Sequence, residues 1–270
     1  MKYIIPRFPA GFRFMTYLEV FGGGASVLFN KRRSQKEILN DYNGDIIHFY
    51  RCVRERPDEL IDKLLFVLNA RSDWKLAARR LSKQEYDDSL QRAADFYQIF
   101  CFSYGGGGKS FGANPRGLWS RFPVILEACE RLQGVILENR DFEKVFRTYD
   151  SPGTFSYLDP PYYGTEGCYQ GFLRLDHERL QKLLLNAQGK WLLSYNDCPE
   201  IIEMYSRPGL YIEQIARSDN LAQRYEAGKK YSEFIITNYD TTEFAPKQLS
   251  IDQLISPEEE TEERKFLWQG

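Results

Sequence analysis

Residues 17–31 read YLEVFGGGASVLFNK. Tyr17 to Phe21 form a mainly apolar run on both faces, as a strand covered by helices on both sides must be. Gly22, Gly23 and Gly24 then let the backbone turn tightly and come close to a ligand, and the helical pattern that follows offers free amide groups at its start. Strand, glycine turn and helix in this order predict an α/β protein with a nucleotide-like ligand at the turn. A purely structural tight turn is the plainer alternative. As a GxGxxG dinucleotide fingerprint the run fails, because Val27 stands where the last glycine is needed.

Working outward, six more β-rich runs recur: Glu37 to Asn40, Val135 to Glu138, Phe155 to Leu158, Trp191 to Tyr195, Tyr211 to Ile215 and Phe234 to Asn238. Helical patterns lie between most of them. Pro57 suits a first helical turn and is followed by Leu60, Ile61, Leu64, Leu65 and Leu68 at helical spacing. Asp176 reads as an N-cap for a helix carrying Leu180, Leu183 and Leu184, with Gly189 just past its end. Strands alternating with helices predict a seven-stranded, mainly parallel sheet with helices on both faces.

The stretch from Asp41 to Val135 is too long for one crossover. It predicts a helical insertion over residues 56–132 between two parts of one sheet domain, 1–55 and 133–245, with an acidic tail at 246–270. The insertion carries Arg71, Lys75, Arg79, Arg80, Lys83, Lys109, Arg116 and Arg121, and the glycine-rich run SYGGGGKSFGANPRG at 103–117. That run fails as a phosphate-binding P-loop, since Ser103 stands where GxxxxGK[ST] needs glycine.

The composition, 43% hydrophobic and 27% charged, is that of an ordinary globular protein. The formal net charge of −2 argues weakly against a nucleic-acid partner, yet five glutamates sit in the last fourteen residues, so the body is close to neutral and any polyanion-binding charge must be local. No apolar run approaches the ~20 residues of a membrane span and no secretory signal opens the chain, so a cytosolic protein is expected. Cys52, Cys101, Cys129, Cys168 and Cys198 are odd in number and scattered, which predicts free thiols and no metal site.

The polar residues gather where strands end. LNDYNGD puts Asp41 at the tip of the second strand, where an acidic side chain commonly receives ribose hydroxyls, with Asp45 as a neighbour suited equally to capping. LENRDF puts Asp141 and Phe142 at the third tip, an acceptor for an adenine amino group and a ring to pack on it. Ligands of open α/β sheets bind outside the carboxyl ends of strands, so one adenosine-like molecule can touch all three tips.

The fourth strand ends in Asp159, Pro160, Pro161 and Tyr162. The prolines restrict the backbone and donate no hydrogen bond, leaving bare carbonyl acceptors beside the Asp159 carboxylate. Such an acceptor cluster suits an amino group on a planar ring. Hydrogen bonds from its two N–H groups to Asp159 and the Pro160 carbonyl would localise the nitrogen lone pair, while Tyr162 stacks on the ring.

LEVFGGGASVLF, ILNDYNGDIIHFY, LENRDF, LDPPYYG, LLSYND and EFIITNYD together resemble, in the same order, the Dam-like (alpha-group) DNA adenine methyltransferases of DPPY type, over about residues 17 to 239. The resemblance implies transfer of a methyl group from S-adenosylmethionine to the 6-amino group of adenine. It implies that Glu19, Phe21, Gly22, Gly23, Gly24, Asp41, Asp141 and Phe142 form the cofactor site, and that Asp159 to Tyr162 receive a flipped adenine. Ser194, Asn196 and Asp197 are similar to the family's later strand-end motif, an ordinary turn being the alternative. The insertion corresponds to the family's target-recognition region, with Arg79, Arg80, Lys109, Arg116 and Arg121 expected on double-stranded DNA. A monomer or weak dimer is expected, with room for a partner subunit. The family also opens with a short aromatic–glycine–glycine–lysine motif, and the chain, beginning MKYIIPRFPAGFRF, has no equivalent. The rival expectation is therefore a catalytically impaired or truncated methyltransferase-fold protein that binds DNA or a partner.

Overall fold

The computed structural model describes residues 2–84, 86–104, 108–112, 117–165, 171–218 and 230–242. Seven strands form one sheet: β1 (Thr16–Glu19), β2 (Lys36–Asn40), β3 (Val135–Glu138), β4 (Thr154–Leu158), β5 (Lys190–Asn196), β6 (Tyr211–Ser218) and β7 (Lys230–Thr237). Their spatial order is β3-β2-β1-β4-β5-β7-β6. The first five run parallel, and β7 is antiparallel to both β5 and β6. Strand order reverses between β1 and β4, which opens a crevice above their carboxyl ends.

The alternation of side chains sorts the core into two layers. From β1, Tyr17 joins one apolar cluster and Leu18 the other; from β5, Leu192 joins the first while Trp191, Leu193 and Tyr195 join the second. A one-residue slip would exchange these faces, so burial on both sides fixes the register. The second cluster lies under α7 (Phe142–Tyr149), α8 (Arg174–Leu185) and α9 (Pro199–Tyr205).

The first cluster lies under α1 (Ser26–Asn30), α2 (Gly44–Glu55), α3 (Pro57–Leu65), α4 (Arg71–Lys83), α5 (Ser89–Phe102) and α6 (Phe122–Leu132). Leu60 and Leu64 of α3, Trp74 and Ala77 of α4, Ala93 of α5 and Leu132 of α6 belong to the same core as Tyr17 and Phe155. Helices of the 56–132 stretch are thus continuous with the sheet's packing. Ile4 and Phe8 near the N-terminus are buried there too, with the Phe8 ring edge-on to Phe155 at 4.6 Å.

A buried ion cluster ties α1, β2 and α6 together. Glu37 accepts from Arg131 at 2.6 and 2.9 Å and pairs with Lys31, whose ammonium lies 3.9 Å from the Tyr17 ring centre. Burial alone would push the Glu37 carboxyl up, but Arg131 and Lys31 outweigh it and hold it below the usual range.

Some local expectations are corrected. β1 ends at Glu19, which leaves Val20 and Phe21 in the turn. α3 stops at Leu65, and Leu68 lies beyond it, 65% exposed. Asp176 is not the N-cap of α8: the helix starts at Arg174, and Asp176 reaches back to accept the Leu173 amide at 2.7 Å. Asp45 is likewise not a cap, since Asn43 caps α2 and Asp45 pairs with Arg92 at 2.6 Å. The described part of the glycine-rich run follows helix α5 and not a strand, and Ser103 bridges Phe111; residues 105–107 and 113–116 lie outside the described residues, as does the 246–270 tail. Cys52, Cys101, Cys129 and Cys198 stand outside any disulfide, with Cys168 outside the described residues. Among the described residues no helix is long and apolar enough to cross a membrane, and no His/Cys/Asp/Glu group is placed to hold a metal ion.

Candidate functional site

The glycine turn is built by close approach. A Cβ on Gly22 would lie 2.8 Å from Leu39 Cδ1 and 2.9 Å from the Asn40 carbonyl, to which the Gly22 amide donates at 2.7 Å. Gly23 follows with φ +46°, a left-handed conformation glycine adopts without penalty. Its amide donates to Asp41 Oδ2 at 2.7 Å, and its carbonyl accepts from the Tyr50 hydroxyl at 2.8 Å.

One side chain joins three strand tips. Asn40 Nδ2 donates to the Val20 carbonyl at 2.9 Å and the Arg140 carbonyl at 3.1 Å, while its Oδ1 accepts the Arg140 amide at 2.9 Å. Asp41 follows, with Oδ1 accepting the Asn43 amide at 2.7 Å. Burial pushes the Asp41 carboxyl up, against the opposing pull of the Gly23 and Asn43 amides.

At the third tip Asp141 caps α7, accepting the Glu143 and Lys144 amides at 3.0 and 3.4 Å. Its other oxygen pairs with Arg179 of α8. Phe142 packs against Phe21 at 5.6 Å and Phe172 at 5.6 Å, a three-ring cluster closed by Phe21 and Phe172 at 5.8 Å.

At the fourth tip Asp159 is exposed, and Pro160 and Pro161 are buried. The Tyr162 hydroxyl donates to Glu233 of β7 at 3.0 Å, and its ring lies 6.3 Å from that of Tyr195. Burial first, then the charges of Asp159 and Glu233, push the Tyr162 phenol up, so it stays a neutral donor. Asn196 grips the next residue with both amide atoms, accepting the Tyr163 amide at 3.0 Å and donating to its carbonyl at 3.2 Å. Ser194 is buried in β5, and Asp197 turns away to Gln214 at 2.5 Å. Glu19 is 2% exposed beneath the crevice; it accepts from the Tyr17 hydroxyl at 2.7 Å, and burial pushes its carboxyl up to about 8.

A cavity of about 850 Å³ gathers Phe21, Gly23, Gly24, Asp41, Asp141, Phe142, Asp159 and Pro161 on one wall system. Gly22 and Tyr162 are not among its lining residues, and the Tyr162 hydroxyl reaches Glu233 of β7. A further, aromatic wall comes from Phe49 and Tyr50 of α2 and Phe96 and Phe100 of α5, and Phe172 and Gly171 from the loop after the prolines also line the cavity. Sequence reading missed that wall, because apolar positions on α2 and α5 look like any helix core. It also missed Asn40, Arg179 and Glu233, although Asn40 stood inside the quoted LNDYNGD motif.

The expected DNA-contacting residues separate. Arg79 and Arg121 are exposed, and Lys109 lines the cavity. Arg80 makes a two-point pair with Asp95 at 2.6 Å on each arm, and Asp95 is 1% exposed. Arg116 lies outside the described residues.

The donor set suits an adenosine-bearing ligand: a glycine cradle, carboxylates at the second and third tips, aromatic rings between them, and a further carboxylate at the fourth. Strand order 3-2-1-4-5-7-6 over such a crevice defines a methyltransferase fold. The model of the D12 class N6 adenine-specific DNA methyltransferases matches residues 1–102 and 124–245, and the chain belongs to that family.

Named relatives agree. The type II methyltransferase M1.LlaDCHI of Lactococcus lactis subsp. cremoris is 25% identical over 264 residues, 88% of this chain and 90% of that one. The type II methyltransferase M.CviBI of Paramecium bursaria Chlorella virus NC1A is 26% identical, covering 70% of this chain and 76% of its own. The DNA N-6-adenine-methyltransferase of Escherichia phage P1 is 30% identical over 73% of this chain, which spans 29% of the phage protein. This membership favours the catalytic reading over the impaired, partner-binding one.

Proposed function

We propose that this chain methylates the 6-amino group of adenine in double-stranded DNA, with S-adenosylmethionine held at the tips of β1, β2 and β3 and a flipped adenine received by Asp159 to Tyr162. The observation that carries this reading is the shared cavity: Asp41, Asp141 and Phe142 line the same space as Asp159 and Pro161. A donor site and an amine site that open into one another are what direct transfer requires.

In this reading Asp41 accepts the ribose hydroxyls, Asp141 accepts the adenine amino group of the donor, and Phe21 and Phe142 flank its ring. The glycine turn brings backbone close to the ligand. When bound, S-adenosylmethionine supplies an electrophilic methyl carbon. Asp159 and the Pro160 carbonyl accept the two N–H groups of the target amine, which favours a tetrahedral nitrogen with a localised lone pair. Tyr162 stacks on the base. Its hydroxyl is occupied by Glu233, so the ring is held at a fixed angle.

The target amine lies in the major groove of a duplex, so the base leaves the stack to reach Asp159. In this assignment the 1–55 and 133–245 parts carry the chemistry and residues 56–132 carry target recognition. Arg79 and Arg121 are the exposed cations of that stretch assigned to phosphate. Arg80 is assigned instead to holding α4 on α5 through Asp95.

The test is Asp159→Ala. Methylation of adenine in a mixed-sequence duplex should fall by at least about 10²-fold, in line with loss of one aligned acceptor, while the thermal midpoint stays within a few degrees. Normal methylation by the variant would overturn the assignment.

A further inference from the structure

We propose that Arg179 is a positioning residue for the adenine ring of the methyl donor, acting through Asp141 and Phe142; this rests on the donor-site reading above. Arg179 projects from α8, outside every motif that defines the site. Its guanidinium pairs with Asp141, lies 2.8 Å from Asp176 Oδ1 through Nη1 and 3.1 Å from Glu143 Oε2 through Nε, and sits with Cζ 4.1 Å from the centre of the Phe142 ring. One planar cation thus touches both residues assigned to the adenine.

The consequence for Asp141 is orientational. An ionised carboxylate offers about four acceptor positions. Two contacts, from the Glu143 and Lys144 amides, fall on Oδ1, and Arg179 takes one on Oδ2. The carboxylate is therefore pinned from α7 on one side and α8 on the other, and the remaining Oδ2 direction is set. Asp141 and Phe142 both line the cavity.

Charge reinforces this. Asp141, Glu143 and Asp176 converge on the single guanidinium. Without it, Asp141 would keep its α7 cap through Oδ1 but lose the hold on Oδ2, and would sit beside Asp176 and a Glu143 paired only with Arg147. Lysine cannot replace the fork, because a point charge does not hold several carboxylates and a ring face in one plane. Cation–π contact with the outer face of Phe142 fixes that ring as well.

A pinned acceptor distinguishes adenine from hypoxanthine. The 6-amino group donates to it, whereas a 6-carbonyl is repelled. Loss of Arg179 should therefore lower selectivity as well as affinity.

The experiment titrates the full chain with S-adenosylhomocysteine and with S-inosylhomocysteine by calorimetry, for wild type, Arg179→Met and Arg179→Lys. Wild type should prefer the adenosyl ligand by roughly 10- to 100-fold, as expected when a hydrogen bond to a charged acceptor is replaced by repulsion. In Arg179→Met that ratio should fall to within about threefold, the adenosyl affinity falling more than the inosyl affinity, and Arg179→Lys should lie between. Should Arg179→Met fail to fold, Arg179→Lys alone carries the comparison. A variant that keeps the wild-type ratio, even with both affinities reduced together, overturns the inference and marks Arg179 as merely structural. Wild type that binds neither ligand, or binds both equally, overturns the donor-site reading itself.

Discussion

The Gly23 amide donates to Asp41 Oδ2 at 2.7 Å, so the carboxylate assigned to the ribose also holds the glycine turn in place. The other oxygen is tied to the Asn43 amide at 2.7 Å. Asp41→Ala removes a ligand contact and the brace on the turn together. Donor affinity should fall by about 10- to 100-fold, with Asp41→Asn losing less because it keeps one acceptor. Burial raises the Asp41 carboxyl, so wild-type affinity should also decline on acidification sooner than an ordinary aspartate would dictate. Calorimetric titration of the three proteins at two pH values checks both statements; equal affinities would remove Asp41 from the site.

Glu19 makes stability depend on pH. Its carboxyl is raised from 4.5 to about 8, chiefly by burial. Between those values the native state holds a proton that the unfolded chain has lost, so this contribution is fully present below 4.5 and is lost as pH rises through about 8. Going from about pH 6 to about pH 8.5, wild type should lose roughly 2–3 kcal/mol more than Glu19→Gln, which cannot titrate. Urea unfolding of both proteins at the two pH values decides it, and parallel losses would mean that another group titrates.

What was legible in the sequence was local. The four strand tips could be read because apolar runs end in residues that have no place in a core: Gly22, Asp41, Asp141 and Asp159. Pairing order was less accessible, since β6 and β7 read as similar apolar runs and nothing in either says that β7 inserts antiparallel between β5 and β6. Arg179 lies 38 residues from Asp141 on an ordinary-looking helix face. The Arg80–Asp95 pair was equally hidden, because Asp95 is buried by tertiary packing that α5's own pattern does not reveal.

Tyr42 and Gly171 meet across the mouth of the cavity. Gly171 has φ +73°, and a Cβ there would lie 2.1 Å from Tyr42 Cε1. Gly171→Ala should push the loop bearing Phe172 away from Tyr42, weaken donor binding by about tenfold and lower the thermal midpoint by only a few degrees. Added to Tyr42→Ala, the same substitution should change donor affinity by less than about twofold, leaving only its backbone strain of about 1 kcal/mol, a folding cost. A double-mutant cycle on donor affinity measures the difference; simple additivity would show that the two residues act independently.

Tyr162 and Tyr163 are anchored on neighbouring strands. The Tyr162 hydroxyl donates to Glu233 at 3.0 Å, and Asn196 holds the backbone of Tyr163. Asn196 and Glu233 are register partners across β5 and β7, so the antiparallel insertion of β7 supplies the second anchor. If this pair sets the angle of the stacking ring, Tyr162→Phe keeps the ring but frees it, and the single-turnover methylation rate should fall about tenfold with donor affinity unchanged. Tyr162→Ala loses the ring itself and should fall further, by about 10²-fold, since base–aromatic stacking is worth ~1–3 kcal/mol. Glu233→Gln retains an acceptor for the phenol and should stay within about threefold of wild type. A full rate in Tyr162→Phe would show that stacking needs no anchor, and a collapse in Glu233→Gln would place the carboxylate's charge, rather than its hydrogen bond, in the reaction.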